Sequence, residues 1–198
     1  DPRDPLAVER RLLDATDLVG EFDKPRYVTY VPELCAHSRS RRVGCTRCLD
    51  HCPTGAITPA GDRVAIDAFV CAGCGSCAAL CPTGAATYAM PPPVGLVARL
   101  RALLTTYLGA GGAAPVLLMH EDRHGGEMIT MLARLGAGLP ANVVPFAVGE
   151  IGQLGLETLT TAFAYGAATV VILEPPAKRD ERAALARTMA EAAAVLDG

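Results

Sequence analysis

Although 51% of its 198 residues are hydrophobic, the chain has no apolar run long enough to cross a bilayer, so its apolar residues are there to build cores. It has no excess of positive charge. A formal net charge of -3 gives no support to nucleic-acid binding. No signal peptide is visible, and the chain opens at Asp1 without an initiator methionine, which reads as a fragment of a longer protein. There is no cysteine after Cys81, so the chemistry of the thiols belongs to the earlier part. The glycines of Gly149-x2-Gly152-x2-Gly155 do not make the dinucleotide fingerprint, which wants glycines at positions one, three and six.

What the earlier part does contain is eight cysteines in two copies of one pattern. Cys45, Cys48 and Cys52-Pro53 recur 29 residues later as Cys74, Cys77 and Cys81-Pro82, and each copy closes on Cys-Pro-Thr-Gly-Ala. The second copy is complete, Cys71-Ala-Gly-Cys74-Gly-Ser-Cys77-Ala-Ala-Leu-Cys81-Pro82, a C-x2-C-x2-C-x3-C-P run. Three thiolates three residues apart on a tight turn can each reach a different iron of one cluster, while the fourth points to the neighbouring cluster. Gly73 and Gly75 let the backbone curl closely around an inorganic core.

The first copy departs from the pattern once, because the repeat offset puts Arg42 where Cys71 should be matched. Cys35 is the expected replacement, with Ala36 to Arg42 looping out as an insertion. The reading is then two 4Fe-4S clusters, cluster I on Cys35, Cys45, Cys48 and Cys81, and cluster II on Cys71, Cys74, Cys77 and Cys52. Without Cys35, cluster I becomes a 3Fe-4S species or borrows His37 or water. Zinc sites and disulfides are the bland alternatives, and zinc, which needs only two pairs per site, leaves Cys71 and the repeated Cys-Pro without a reason. Arg47 between two ligands, with Arg39, Arg41 and Arg42 in the insertion, predicts the higher potential for cluster I; a solvated loop or a docking patch for an acidic partner are the other readings.

With those motifs, Tyr27 to Met90 resembles a two-cluster bacterial ferredoxin domain, in which each motif is followed by a short strand. The local pattern agrees. Tyr27–Val31, Ala56–Thr58, Val64–Ile66 and Ala85–Ala89 read as strands, with Pro59-Ala-Gly-Asp62 as a hairpin connection. Leu34-Cys-Ala-His-Ser-Arg39 and Gly44-Cys-Thr-Arg-Cys-Leu-Asp50 resemble proteobacterial ferredoxin-domain proteins encoded beside formate dehydrogenases. That resemblance implies a formate dehydrogenase as redox partner. Ala162-Phe163-Ala-Tyr-Gly166-Ala167 before Val170–Leu173 is faintly similar to the delta subunit of methyl-viologen-reducing hydrogenases, whose own cluster cysteines in this part are missing here.

The expected fold class is α+β in three stretches: residues 1–24, a helix packing on the cluster domain; 25–93, the dicluster domain; 94–198, a small α/β domain. Asp4-Pro5 caps the first helix, and Val8, Leu12, Ala15 and Val19 share a face. Pro91-Pro92-Pro93 marks a stiff boundary, followed by a helix on Leu96, Leu100, Leu103 and Tyr107. From Ala114 strand and helix alternate as βαβαβα, which predicts a three-stranded parallel sheet. Pro145 cannot donate to a ladder, so its strand belongs at an edge and the order 2-1-3 is favoured. In such a sheet a ligand or partner lies beyond the carboxyl ends of the strands, near His120, Glu121, His124, Gly149–Gly155 and Glu174.

The function expected is an electron-transfer protein or subunit with no catalytic residue, a carrier or part of an oxidoreductase, in a reducing compartment with the cytoplasm as default. An accessory factor that matures or loads a formate dehydrogenase is the second class, and a scaffold whose clusters hold the fold is the third.

Overall fold

The computed structural model describes residues 3–21, 23–37, 44–176 and 181–197. Helix α1 (Pro5–Thr16) starts where the Asp4 carboxylate accepts the N–H groups of Leu6 and Ala7, with Pro5 in the first turn. It does not pack on the cluster domain as expected. No residue of α1 is buried, and Leu6, Leu12 and Leu13 are all more than 60% exposed. The connection after the helix gives it no core to rest on, since residues 17–21 and 23–26 are all exposed and Lys24 reaches only the Phe69 carbonyl, at 2.6 Å.

Two short antiparallel ribbons come next. Strand β1 (Val28–Tyr30) pairs with β4 (Ala86–Tyr88), and β2 (Ile57–Ala60) with β3 (Arg63–Ile66). The connection in the second ribbon is shorter than Pro59–Asp62, because Pro59 and Ala60 extend the strand and only Gly61-Asp62 turns, with Gly61 at φ +66. On a two-stranded ribbon the missing N–H of Pro59 can face outward at no cost. Each cysteine motif carries a single helical turn, α2 (Arg47–Asp50) and α3 (Ser76–Ala79). A small apolar core of Ile57, Val64 and Cys77, with Val28, Tyr30, Cys48, Leu49, Cys52 and Ile66 against it, holds these pieces together.

Helix α4 (Pro93–Gly109) then leads into β5 (Val116–Glu121), α5 (His124–Leu135), β6 (Val143–Val148), a 3-10 turn at Ile151–Gln153, α6 (Leu156–Ala164), β7 (Thr169–Leu173) and α7 (Arg182–Asp197). The sheet is parallel with spatial order β6-β5-β7, the 2-1-3 arrangement, and Pro145 pairs with Leu118 on the edge strand. Leu117 and Met119 of β5, with Phe146 and Val148 of β6, join Leu96, Leu100, Leu104, Leu159, Ala162, Leu185 and Ala192 in the main core. These come from α4, α6 and α7, so those helices cover one face. Right-handed crossovers in a 2-1-3 sheet put α5 on the opposite face. Among the described residues no helix is long and apolar enough to cross a membrane.

Candidate metal centre

Both cysteine motifs end in the same turn. Gly55 N–H donates to Cys52 O at 3.3 Å and Gly84 N–H to Cys81 O at 3.4 Å, and both glycines are left-handed, at φ +66 and +67. The turn folds a threonine hydroxyl back onto the sulfur: Thr54 Oγ1 lies 3.7 Å from Cys52 Sγ, and Thr83 Oγ1 3.7 Å from Cys81 Sγ. Burial alone would raise the Cys52 thiol, but the Thr54 hydroxyl and the amides of Thr54, Ala56 and Ile57 outweigh it and hold it below its usual value. Cys81 repeats this, with burial opposed by the amides of Ala86, Thr83 and Ala85 and the Thr83 hydroxyl; Ala86 N–H reaches Cys81 Sγ at 3.4 Å. Both Cys-Pro thiols are therefore prepared to be thiolates, the form that binds metal.

Four cysteines meet around one cavity. Cys35, Cys45, Cys48 and Cys81 line it together with Tyr30, Arg47, Val64, Ile66, Pro82, Thr83, Ala85 and Ala86. Cys35 is buried at 8% exposure, so the thiol before the insertion is folded inward. The Cys48 thiol is pushed up to about 11, first by burial and then by the neighbouring charges of Cys45, Cys35 and Cys81. Tyr30 is pushed up to about 12 by burial and by its hydrogen bond with Cys35, while Val64 N–H donates to its hydroxyl at 3.4 Å. His37 is not in the wall of this cavity. Its buried ring donates from Nδ1 to Cys45 O at 2.8 Å and so joins the chain before and after residues 38–43. Arg39, Arg41 and Arg42 lie outside the described residues.

The second set gathers around Cys77. Burial raises its thiol most, followed by the charges of Cys74, Cys71, Cys48 and Cys52. Two of these neighbours, Cys71 and Cys74, come from its own motif, and Cys52 comes from the other, while Cys48, also of the other motif, stands between the two sets because α2 packs on α3. Cys74 is raised by burial and by the charges of Glu181 and Cys52, against hydrogen bonding from Ser76, whose hydroxyl lies 3.7 Å from the sulfur. Tyr88 donates to Gly73 O at 2.8 Å, and Tyr27 lies over Gly73, where a Cβ would stand 2.7 Å from the ring. Burial first, then the charge of Cys74, pushes Tyr88 up to about 12.

Sequence reasoning missed what lies behind this second loop. A Cβ on Gly75, itself at φ +86, would stand 2.8 Å from the backbone of Gln153, and a Cβ on Gly152 would run into Cys74 O and lie 3.1 Å from Ser76 Oγ. The turn after β6 is therefore pressed backbone to backbone against the cysteine loop. Gly73 and Gly75 serve close protein packing as well as any inorganic core, and the place beyond the strand ends expected to hold a ligand or partner holds Cys74–Ser76. Ile151–Gly155 is buried throughout, and in the sequence only its glycines hinted at so close an approach. His120 and Glu121 are buried residues of β5 rather than loop residues, and His120 Nδ1 bonds the Glu121 carbonyl at 3.0 Å. Arg47 is not a free cation: its guanidinium pairs with Glu191 of α7 at 3.3 Å, and Arg187 joins the same carboxylate at 3.2 Å.

No disulfide joins any of the eight cysteines, all of which are described residues. Among the described residues no three or more His, Cys, Asp or Glu side chains close up to the spacing of a single bound ion. The four thiols of the first set instead stand around a space, which suits a polynuclear group whose irons each take one thiolate. Residues 41–85 match the 4Fe-4S dicluster domain model. This dicluster stretch takes in every cysteine except Cys35. It supports iron–sulfur binding and a ferredoxin-like organisation of this part of the chain. No curated protein and no solved structure matches the chain, so neither the formate dehydrogenase nor the hydrogenase resemblance gains support from these comparisons.

Proposed function

We propose that the chain is an electron-transfer protein or subunit carrying two 4Fe-4S clusters, one on Cys35, Cys45, Cys48 and Cys81 and the other on Cys71, Cys74, Cys77 and Cys52. The observation that carries this reading is the meeting of Cys35 and Cys81, from either side of the first motif, with Cys45 and Cys48 around one cavity. An iron–sulfur cluster bound there supplies one-electron exchange. The protein's part is to present thiolates and surround them with fixed dipoles. Thr54, Thr83 and the backbone N–H groups after each Cys-Pro aim positive hydrogens at Cys52 and Cys81, which favours the more negative, reduced state. The apolar core that Ile57 and Val64 build with Cys77, and against which Cys48 and Cys52 pack, would keep water from the thiols it touches.

Residues 25–93 are read as the cluster domain and residues 94–198 as an α/β unit that covers the second cluster. The donor or acceptor implied by resemblance is a formate dehydrogenase, and the compartment of assembly is the reducing cytoplasm. The decisive experiment is metal and sulfide analysis with an anaerobic redox titration followed by electron paramagnetic resonance. About eight irons per chain and two interacting signals are expected. Zinc in place of iron, or a protein that cannot be reduced at any accessible potential, would defeat the electron-transfer reading.

A further inference from the structure

All-parallel sheets are almost always covered on both faces. Among the described residues α4, α6 and α7 cover one, and the other has α5 alone, with Val171 of β7 left 42% exposed. Helix α5 sits close to the sheet because it has glycine where it meets β5, since a Cβ on Gly125 would run into His120. Its outer side is unusually apolar. Met128, Met131 and Leu135 are 47%, 58% and 82% exposed, and their spacing places them on one stripe. Glu127 and Arg134 are also exposed and flank that stripe on one side. Neither makes an ion pair among the described residues.

The order of these residues is self-complementary. If α5 is laid antiparallel on a second α5 with Met131 at the two-fold axis, Glu127 comes opposite the other copy's Arg134 on one flank. Met128 then comes opposite the other copy's Leu135 on the other flank. Each pair occurs twice, as an isologous contact requires. The charged pair centres between Thr130 and Met131 and the apolar pair between Met131 and Leu132, so one axis near Met131 serves both. Methionine at the centre suits a contact between flat helical faces, because its unbranched chain adapts to its twin. We propose that this chain forms a two-fold dimer through α5, with Met131 at its centre and reciprocal Glu127–Arg134 pairs on its rim.

The test is sedimentation velocity of the full, cluster-loaded chain over a wide concentration range, alongside Met131→Glu, Arg134→Glu and the double variant Glu127→Arg with Arg134→Glu. The wild type should be a dimer, Met131→Glu a monomer, and Arg134→Glu a weakened dimer, since two acids then face each other. The double variant restores opposite charges across the axis and should recover the dimer. That recovery keeps the test valid should Met131→Glu also disturb folding, which circular dichroism and cluster absorbance report. A wild type that stays monomeric, with the stripe left to some other protein, overturns the proposal. So does a dimer indifferent to Met131→Glu, or a charge exchange that fails to repair the Arg134→Glu defect.

Discussion

The two copies of the cysteine motif share a turn and differ in almost everything around it. After each Cys-Pro the threonine, the left-handed glycine and the sulfur stand in the same relation. In the first copy His37 bonds the Cys45 carbonyl, Thr46 replaces the repeat's second glycine at φ -117, and Arg47 reaches out to α7. In the second copy Gly73, Gly75 and Ser76 are buried, Tyr27 and Tyr88 hold the loop from one side, and the turn at Gly152 presses on it from the other. The lesson is that the ligand spacing sets what can be bound, while the glycines record how closely other protein approaches.

That contrast can be broken most severely at the seam. Gly75→Ala and Gly84→Ala both put a Cβ on a left-handed residue, which by itself costs about 1 kcal/mol. Gly84 has open space around it, whereas at Gly75 the new atom meets the Gln153 backbone. Thermal unfolding should therefore show a loss of about 1 kcal/mol for Gly84→Ala and about 4 kcal/mol for Gly75→Ala, with the second cluster's signal lost first. Equal losses would mean that the seam contributes nothing.

Next in size is Cys35→Ser. The first site should fall to a three-iron species with a new resonance signal, while the second keeps its own. If all the iron of a 4Fe-4S site is retained with an unchanged spectrum, Cys35 is no ligand.

A smaller effect is expected from Tyr88→Phe, which leaves the buried Gly73 carbonyl without its donor and should cost about 2 kcal/mol of stability by denaturant titration. Tyr30→Phe at the first site sharpens the comparison, because its hydroxyl meets Cys35 and Val64 N–H instead.

The smallest change concerns potential. Glu181 lies beside the Cys74–Ser76 loop, where its charge opposes the gain of an electron, whereas Arg47 beside Cys48 favours it and is partly offset by Glu191. Glu181→Gln should raise the second site's midpoint by on the order of 1 kcal/mol, roughly 40 mV, and leave the first alone. Glu191→Gln should raise the first by less, since Arg47 is part-exposed and screened. Midpoints that move together in both variants would mean the charges act on the whole molecule and distinguish neither site.

Much of the fold was legible because it rests on local rules. Strands β6 and β7 fall where apolar, β-branched runs put them, and Pro145 alone was enough to choose the 2-1-3 order, since a residue without an N–H cannot sit in the middle of a ladder. The α1 helix was legible from its Asp4 cap, but its supposed docking was not, because an apolar face says nothing about whether a surface exists to receive it. Arg47 shows the same limit. Its position between two cysteines was plain, and the carboxylate that pairs with it lies at the far end of the chain in Glu191.

From the sequence by itself came the chemistry: thiols at iron–sulfur spacing, the repeated Cys-Pro-Thr-Gly-Ala turn and the order of helices and strands. Each is settled within a few residues, by the reach of a tight turn, the missing donor of proline or the left-handed freedom of glycine. Only the tertiary structure brought Cys35 and Cys81 to one cavity, laid Gly152 on Cys74 and set Glu181 beside the second loop. Those contacts join residues far apart in the chain, and they arise from two packed surfaces fitting together. No local window of sequence contains both halves of such a fit.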